Sequence, residues 1–222
     1  RAANSVASAP REPVRRTGDA LVRLGVDDTR ALILATLLED GASNALGRSE
    51  IDVDELWRHT LAVGLLTEAT CASDETLADL RGMAFTGGVL HDIGRLVLAA
   101  QQPRRYARVV RLAARGTPVI EAELSQFSLD HAAFGGGVAL AWGLPEVIAS
   151  AIAGHHEGGT PLARALQQAI AIARSLGIGD GVAPAPVPAL DFASQQAAPL
   201  RLLGGPGVLM RRIEWFRAAL GA

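Results

Sequence analysis

The chain has 222 residues, of which 49% are hydrophobic and 20% charged, a globular balance that excludes a disordered chain. A formal net charge of −2 leaves no electrostatic footprint for nucleic acid or an anionic membrane surface, and no uninterrupted apolar run has the length of a membrane span. One cysteine, Cys71, rules out an intrachain disulfide and fits a reducing, cytoplasmic setting.

The chain opens without Met, and Arg1-Ala2-Ala3-Asn4-Ser5 leads into no apolar stretch of the signal-peptide kind, so further chain upstream of Arg1 is expected. Ala, Leu, Arg and Glu dominate, aromatics are only 4%, and alternating polar/apolar runs are lacking, so the fold is expected to be all-α, a multi-helix bundle with no significant sheet. Pro10 and Pro13 make the first 16 residues irregular. Thr17 or Asp19 caps a short helix ending near Gly25, and Asp27-Asp28 opens another through about 38.

A helix over 52–70 carries Leu56, Trp57, Val63, Leu66 and Ala69 on an apolar face. Ser73 starts the next, with an interruption expected near Gly87-Gly88, and a run over 89–100 holds His91-Asp92. Pro103 opens a helix to 114, stopped by Gly116. Further helices are expected over 117–127, 130–142, 145–153 and 160–176. Residues 177–207 collect Gly and Pro and read as a loose excursion with one short helical stretch, and 208–220 forms a final amphipathic helix with Leu209, Ile213, Phe216 and Leu220 in register.

Chemistry concentrates in the five histidines, His59, His91, His131, His155 and His156, each at or near the middle or end of an expected helix beside apolar or small residues. Imidazole is a common ligand of first-row transition metals, and Asp92 adds a hard anionic oxygen. Neighbours on a helix point about 100° apart, so His91 and Asp92 can grip one ion only where a helix end faces it closely. Gly94 leaves room for a close approach, and Arg95 offers a cation for an anionic ligand such as phosphate. Glu55 and His59 share a helical face, as two ligands or as a solvent-facing acid beside a buried histidine. His131 is a ligand or a capping or core residue. Of His155 and His156, one is expected to support the other, since both cannot serve one ion while helical. Trp57, Trp142 and Trp215 read as core or interface anchors, Gly135-Gly136-Gly137 as a site of tight helix packing, Cys71 as a small buried residue, and Arg104, Arg105, Arg108, Arg111 and Arg115 as a solvated basic face.

Several segments, in this order, resemble the HDOD family: Leu56-Trp57-Arg58-His59-Thr60-Leu61-Ala62-Val63, Gly88-Val89-Leu90-His91-Asp92-Ile93-Gly94-Arg95-Leu96, Glu121-Ala122-Glu123, Asp130-His131-Ala132-Ala133-Phe134-Gly135, and Trp142-Gly143-Leu144-Pro145-Glu146-Val147-Ile148 with His155-His156 beyond it. The resemblance runs from the first residue to about 176. It implies a bacterial signalling domain over 1–177, its N-terminal helices lying outside this sequence, with 178–222 packing on the same domain. It also implies an HD-like bundle related to metal-dependent phosphohydrolases and HD-GYP cyclic-dinucleotide phosphodiesterases.

By resemblance, His59 is the first histidine of that set, His91-Asp92 the namesake pair, His131, His155 and His156 the later histidines, and Glu55 an additional acidic ligand. The implied cofactor is a divalent transition metal, iron, manganese or zinc. The implied partners are other signalling proteins or domains, with self-association. Two departures weigh against catalysis, and a third change keeps the charge but alters the geometry. Ile170 or a neighbour stands where the late Asp of the set is expected, the GYP signature is lacking, and Arg95 replaces the usual lysine. Two readings follow: a non-catalytic signalling module, or a metal-dependent phosphohydrolase acting on nucleotides or cyclic dinucleotides with Asp92 and Arg95 at its centre. A third leaves the histidines in a polar core with no ion.

Overall fold

The computed structural model describes residues 46–182 and 189–220. The two helices expected within the first 38 residues lie outside them. Among the described residues ten α-helices run in the order α1 Val53–Ser73, α2 Arg81–Leu90, α3 Ile93–Gln101, α4 Pro103–Ala113, α5 Val119–Phe127, α6 His131–Ala141, α7 Glu146–Ala153, α8 Pro161–Ser175, α9 Ala198–Leu202 and α10 Pro206–Leu220. Short 3-10 turns precede α2 and α9, and no strand occurs among the described residues. The all-α expectation therefore holds.

Local chemistry sets the boundaries. Asp52 accepts from the Glu55 amide, Asp130 from Ala133 at 2.8 Å and Thr160 from Ala163 at 3.2 Å, each satisfying an amide that its helix start leaves orphaned. Pro103 and Pro161 occupy first-turn positions, where the missing N–H costs nothing.

Helix α1 is the hub. Fourteen of its 21 residues are buried, so it is apolar around most of its circumference rather than on one stripe. It packs against α2, α8, α9 and α10. The α1/α2 crossing brings backbones together: a Cβ on Gly88 would meet Gly64 Cα at 2.6 Å. This explains a departure from the sequence reading. Gly87-Gly88 does not interrupt α2, because the helix passes through both, and the break falls at His91-Asp92. The α3/α6 contact is closer still, for a Cβ on Gly94 would lie 2.0 Å from the His131 carbonyl oxygen.

The C-terminal helix packs on α1 through Leu209, Ile213 and Phe216, all fully buried, and ion pairs Arg217–Asp54 (3.0 Å) and Arg58–Glu214 (3.4 Å) flank that contact. Of the tryptophans, Trp57 is buried and Trp215 packs edge-on to Phe216, whereas Trp142 is 57% exposed in the α6–α7 segment, where Leu140 and Val147 are exposed too. The α4 arginines face solvent. Arg111 pairs with Glu50, and Arg105 lies 4.8 Å from the Phe127 ring centre. Cys71 is buried, which pushes its thiol up to about 11. No helix among the described residues is long and apolar enough to cross a membrane.

Candidate functional site

The five histidines come from four places in the fold. His59 lies on α1, His91 ends α2, His131 begins α6, and His155-His156 sit in the turn between α7 and α8. Because the last two are outside regular helix, their rings reach the same space, with centroids 4.0 Å apart. His91 and Asp92 form the α2–α3 junction. Asp92 takes the N-cap place of α3, yet its carboxylate makes no capping bond and is left for the cluster.

Asp92 is the centre. Its Oδ1 lies 3.2 Å from His131 Nε2 and 3.8 Å from His155 Nε2. Its Oδ2 lies 3.4 Å from His91 Nε2 and 3.1 Å from Arg95 Nη1. Two groups of ligand atoms therefore flank one carboxylate, His59/His91/Asp92 and His131/His155/His156, each within 4.8 Å. His59, His91, His131 and His155 are all about 1% exposed, Asp92 2%, and only His156 reaches the surface.

Glu55 belongs to neither group. It is half-buried, with its carboxylate against the backbone of Gly179.

Tautomers follow from the backbone. His91 Nδ1 is 2.8 Å from the Gly88 carbonyl and His155 Nδ1 is 2.7 Å from that of Ile152, so each Nδ1 carries the proton and donates it. Both Nε2 lone pairs then face the Asp92 carboxylate. Burial, only partly opposed by Asp92, holds His91 down to about 4; burial and the neighbouring imidazoles His91 and His131 hold His155 down to about 3. His156 is lowered to about 3 by burial and by His155, and His59 is lowered by burial. Neutral imidazoles fixed through Nδ1 and aimed at a carboxylate are the donors a transition metal takes. His59 Nδ1 is buried with no hydrogen-bond partner. On these grounds His59, His91 and Asp92 fit one divalent ion, which would supply Lewis-acid character there.

The second group fits less well. Burial and Arg95 oppose charge on His131, but hydrogen bonds to Asp92 and Glu123 outweigh them and raise it to about 9. Its Nδ1 donates to Glu123 Oε2 at 2.6 Å, an oxygen that also accepts the His131 amide at 2.9 Å, and its Nε2 lies 2.9 Å from His156 Nε2. Protonated at both nitrogens, His131 offers no lone pair until a proton leaves. Glu123 is fully buried, accepts from the Tyr106 hydroxyl at 2.6 Å, and is held below the usual carboxylate range by His131 and Arg95 despite its burial.

Arg95 is 2% exposed and lies inside the cluster. Its Nη1 is 3.1 Å from Asp92 Oδ2, 3.3 Å from Asp180 Oδ2 and 3.4 Å from the Asp180 carbonyl, and its Nη2 is 3.4 Å from His131 Nε2. The sequence reading aimed this side chain at a bound phosphate; here it is turned onto the protein's own carboxylates. Despite burial, Arg95 holds Asp92 well below the carboxylate range and Asp180 down to about 2.

Asp180 and Glu123 are the residues that sequence reasoning did not assign. The late carboxylate was sought in α8, where Ile170 instead fills the core. The acid that reaches the cluster comes from the loop beyond. There the carbonyl of Gly181, a residue at φ 76°, accepts a hydrogen bond from the Asp52 amide at 2.9 Å and fixes the loop to the start of α1. The one available signal was that Asp180 is the first acid after Glu157.

Similar folds occur in solved structures. A candidate signal transduction protein from Marinobacter aquaeolei VT8 superposes with a TM-score of 0.74 at 21% identity, covering 99% of this chain and 50% of its own. This chain thus spans half the length of that protein. An HDOD domain protein of unknown function from Geobacter sulfurreducens gives 0.68 at 20% identity, covering 98% and 78%. A candidate phosphohydrolase from Shewanella amazonensis SB2B gives 0.67 at 21% identity, covering 94% and 78%. Identities this low speak for the fold alone. No curated protein matches the chain in sequence. The sequence profile of the HDOD domain matches residues 1–158, and with that match over most of its length the chain belongs to the HDOD domain family.

Proposed function

We propose that the chain is a bacterial, cytoplasmic signal-transduction module that works through contacts with partner proteins and does not turn over a substrate. The observation that carries this reading is the closure of the cluster. Asp92, which a phosphohydrolase needs open to metal and substrate, is buried, and Arg95, the cation that would meet a phosphate, is buried against Asp92 and Asp180.

In this reading residues 1–177 form the HDOD unit, and the segment from 178 docks its last helix on α1. His59, His91 and Asp92 hold one iron, manganese or zinc ion that ties α1 to the α2–α3 junction, as a lock between helices. His131, His155 and His156 shape the other side of Asp92, and Glu55 stays outside. Partner contact, or contact between copies, finds its support in the exposed Leu140, Trp142 and Val147 at the α6–α7 corner, since exposed apolar clusters of this kind mark interaction surfaces. The near-neutral charge favours protein over nucleic acid.

A second reading, a metal-dependent phosphohydrolase centred on Asp92 and Arg95, is favoured by one observation: His156 brings the cluster to the surface and offers an edge where a small anion could enter. Purified, metal-loaded chain incubated with cyclic dinucleotides and with bis(4-nitrophenyl) phosphate separates the two. The signalling reading expects no hydrolysis above a metal-only control. Turnover that disappears with His91→Ala and Asp92→Ala overturns it.

A further inference from the structure

Oδ2 of Asp92 faces two groups at once, His91 Nε2 at 3.4 Å and Arg95 Nη1 at 3.1 Å. An ion held by His59, His91 and Asp92 would take its oxygen from this carboxylate. The guanidinium already there cannot give up its proton, is 2% exposed, and so is poorly screened by water. Nor does it swing aside without cost. Asp180 holds Nη1 through its carboxylate at 3.3 Å and its backbone carbonyl at 3.4 Å, and Asp180 is itself fixed by the Val182 amide on Oδ1 at 3.1 Å.

We infer that Arg95 is a resident cation that competes with the divalent ion for Asp92, so that the ion loads only as the guanidinium withdraws from the carboxylate. This rests on the metal-holding reading above and gives it a direction. The site is a weak, exchangeable one in which ion binding and the Arg95–Asp180 clamp oppose each other, rather than a permanent structural centre. By linkage, whatever strengthens the clamp weakens the ion, and the reverse. The clamp joins α3 to the loop after α8, so loading would loosen that joint while tying α1 to the α2–α3 junction.

The test is a titration of the full chain, stripped with chelator, using Co²⁺ alone and Mn²⁺ alone, read by calorimetry and by cobalt absorption. Arg95→Met is expected to bind either ion about tenfold or more tightly than the unaltered chain. Because Arg95→Met removes the buried cation between Asp92 and Asp180, leaving Asp180 with the more exposed Arg174 at 3.6 Å, and can fail to fold, Asp180→Asn and the double variant Arg95→Met/Asp180→Asn form a second comparison, in which the double variant is expected to be the tighter binder by a similar factor. A third measurement needs no variant. In the unaltered chain, saturating Co²⁺ or Zn²⁺ should speed exchange of the Arg95 guanidinium protons, followed by NMR.

Equal or weaker binding on loss of Arg95, in either comparison, overturns the competition and leaves the metal-holding reading standing. So does unchanged Arg95 exchange on loading. No binding by any form up to about 1 mM overturns the metal-holding reading itself.

Discussion

The guanidinium of Arg95 lies 3.3 Å from the carboxylate of Asp180, a residue 85 positions further along the chain. This contact ties the first turn of α3, just after the His-Asp pair, to the loop that follows α8. At the centre Asp92, Asp180 and Glu123 are held as anions and Arg95 and His131 as cations, while burial keeps His59, His91, His155 and His156 neutral around them.

The α3/α6 crossing depends on the missing side chain at position 94. Gly94→Ala would drive a Cβ into the His131 carbonyl oxygen at 2.0 Å and the Gly135 amide nitrogen at 2.6 Å, both rigid backbone atoms. A loss of at least about 3 kcal/mol is expected in urea unfolding. Gly137→Ala on the same helix α6 is the control, because nothing lies within 4 Å of its added Cβ. It should instead gain up to about 1 kcal/mol from helix propensity.

Much of this architecture is legible from residue types, and the reasons are local. Asp52, Asp130 and Thr160 cap helices and Pro103 and Pro161 open them with chemistry that needs no tertiary partner. What was not legible depends on distant contacts. The continuity of α2 through Gly87-Gly88 reflects the close approach of Gly64. Asp180 lies in a Gly-rich loop with no periodicity to read, and nothing in the Glu121-Ala122-Glu123 string says which acid is fully buried. Tertiary burial also decides the role of Arg95, since position alone does not tell a phosphate clamp from an internal ion pair.

The histidines give stability a dependence on pH with two limbs. His91, His155 and His156 titrate near 4, 3 and 3 when folded but near 6.5 when unfolded, so the unfolded chain takes up protons first as pH falls. Stability should drop from pH 6.5 downward, with Asp180, folded near 2, adding a further loss below about 4. His131 has the opposite sign. Raised to about 9, it contributes fully below 6.5, and that contribution is lost as pH rises through 9. Urea midpoints of chelator-treated protein should therefore peak near neutral pH. Glu123→Gln should flatten the alkaline limb, because it removes one of the hydrogen bonds that keep His131 charged. A midpoint flat from pH 5 to 9 would contradict this assignment of charges.

On the metal-holding reading, an ion at His59, His91 and Asp92 would bind the folded chain in preference to the unfolded one and so stabilise it. At about a hundredfold excess over its dissociation constant, Mn²⁺ or Zn²⁺ should add about 2.7 kcal/mol and raise the melting temperature of chelator-treated protein. His59→Ala and Asp92→Asn should each remove that shift. A shift that survives both would place the ion elsewhere.

The Arg95–Asp180 pair is tested most directly by a double-mutant cycle in urea, using Arg95→Met, Asp180→Asn and the two combined. Breaking a buried pair from one side leaves an uncompensated charge, so Arg95→Met alone should cost about 3–5 kcal/mol. Removing both partners should cost less than the sum of the single losses by about 2 kcal/mol. Losses that add to within about 0.5 kcal/mol would mean that the two side chains do not act on each other, and the closed, self-neutralised cluster would have to be abandoned.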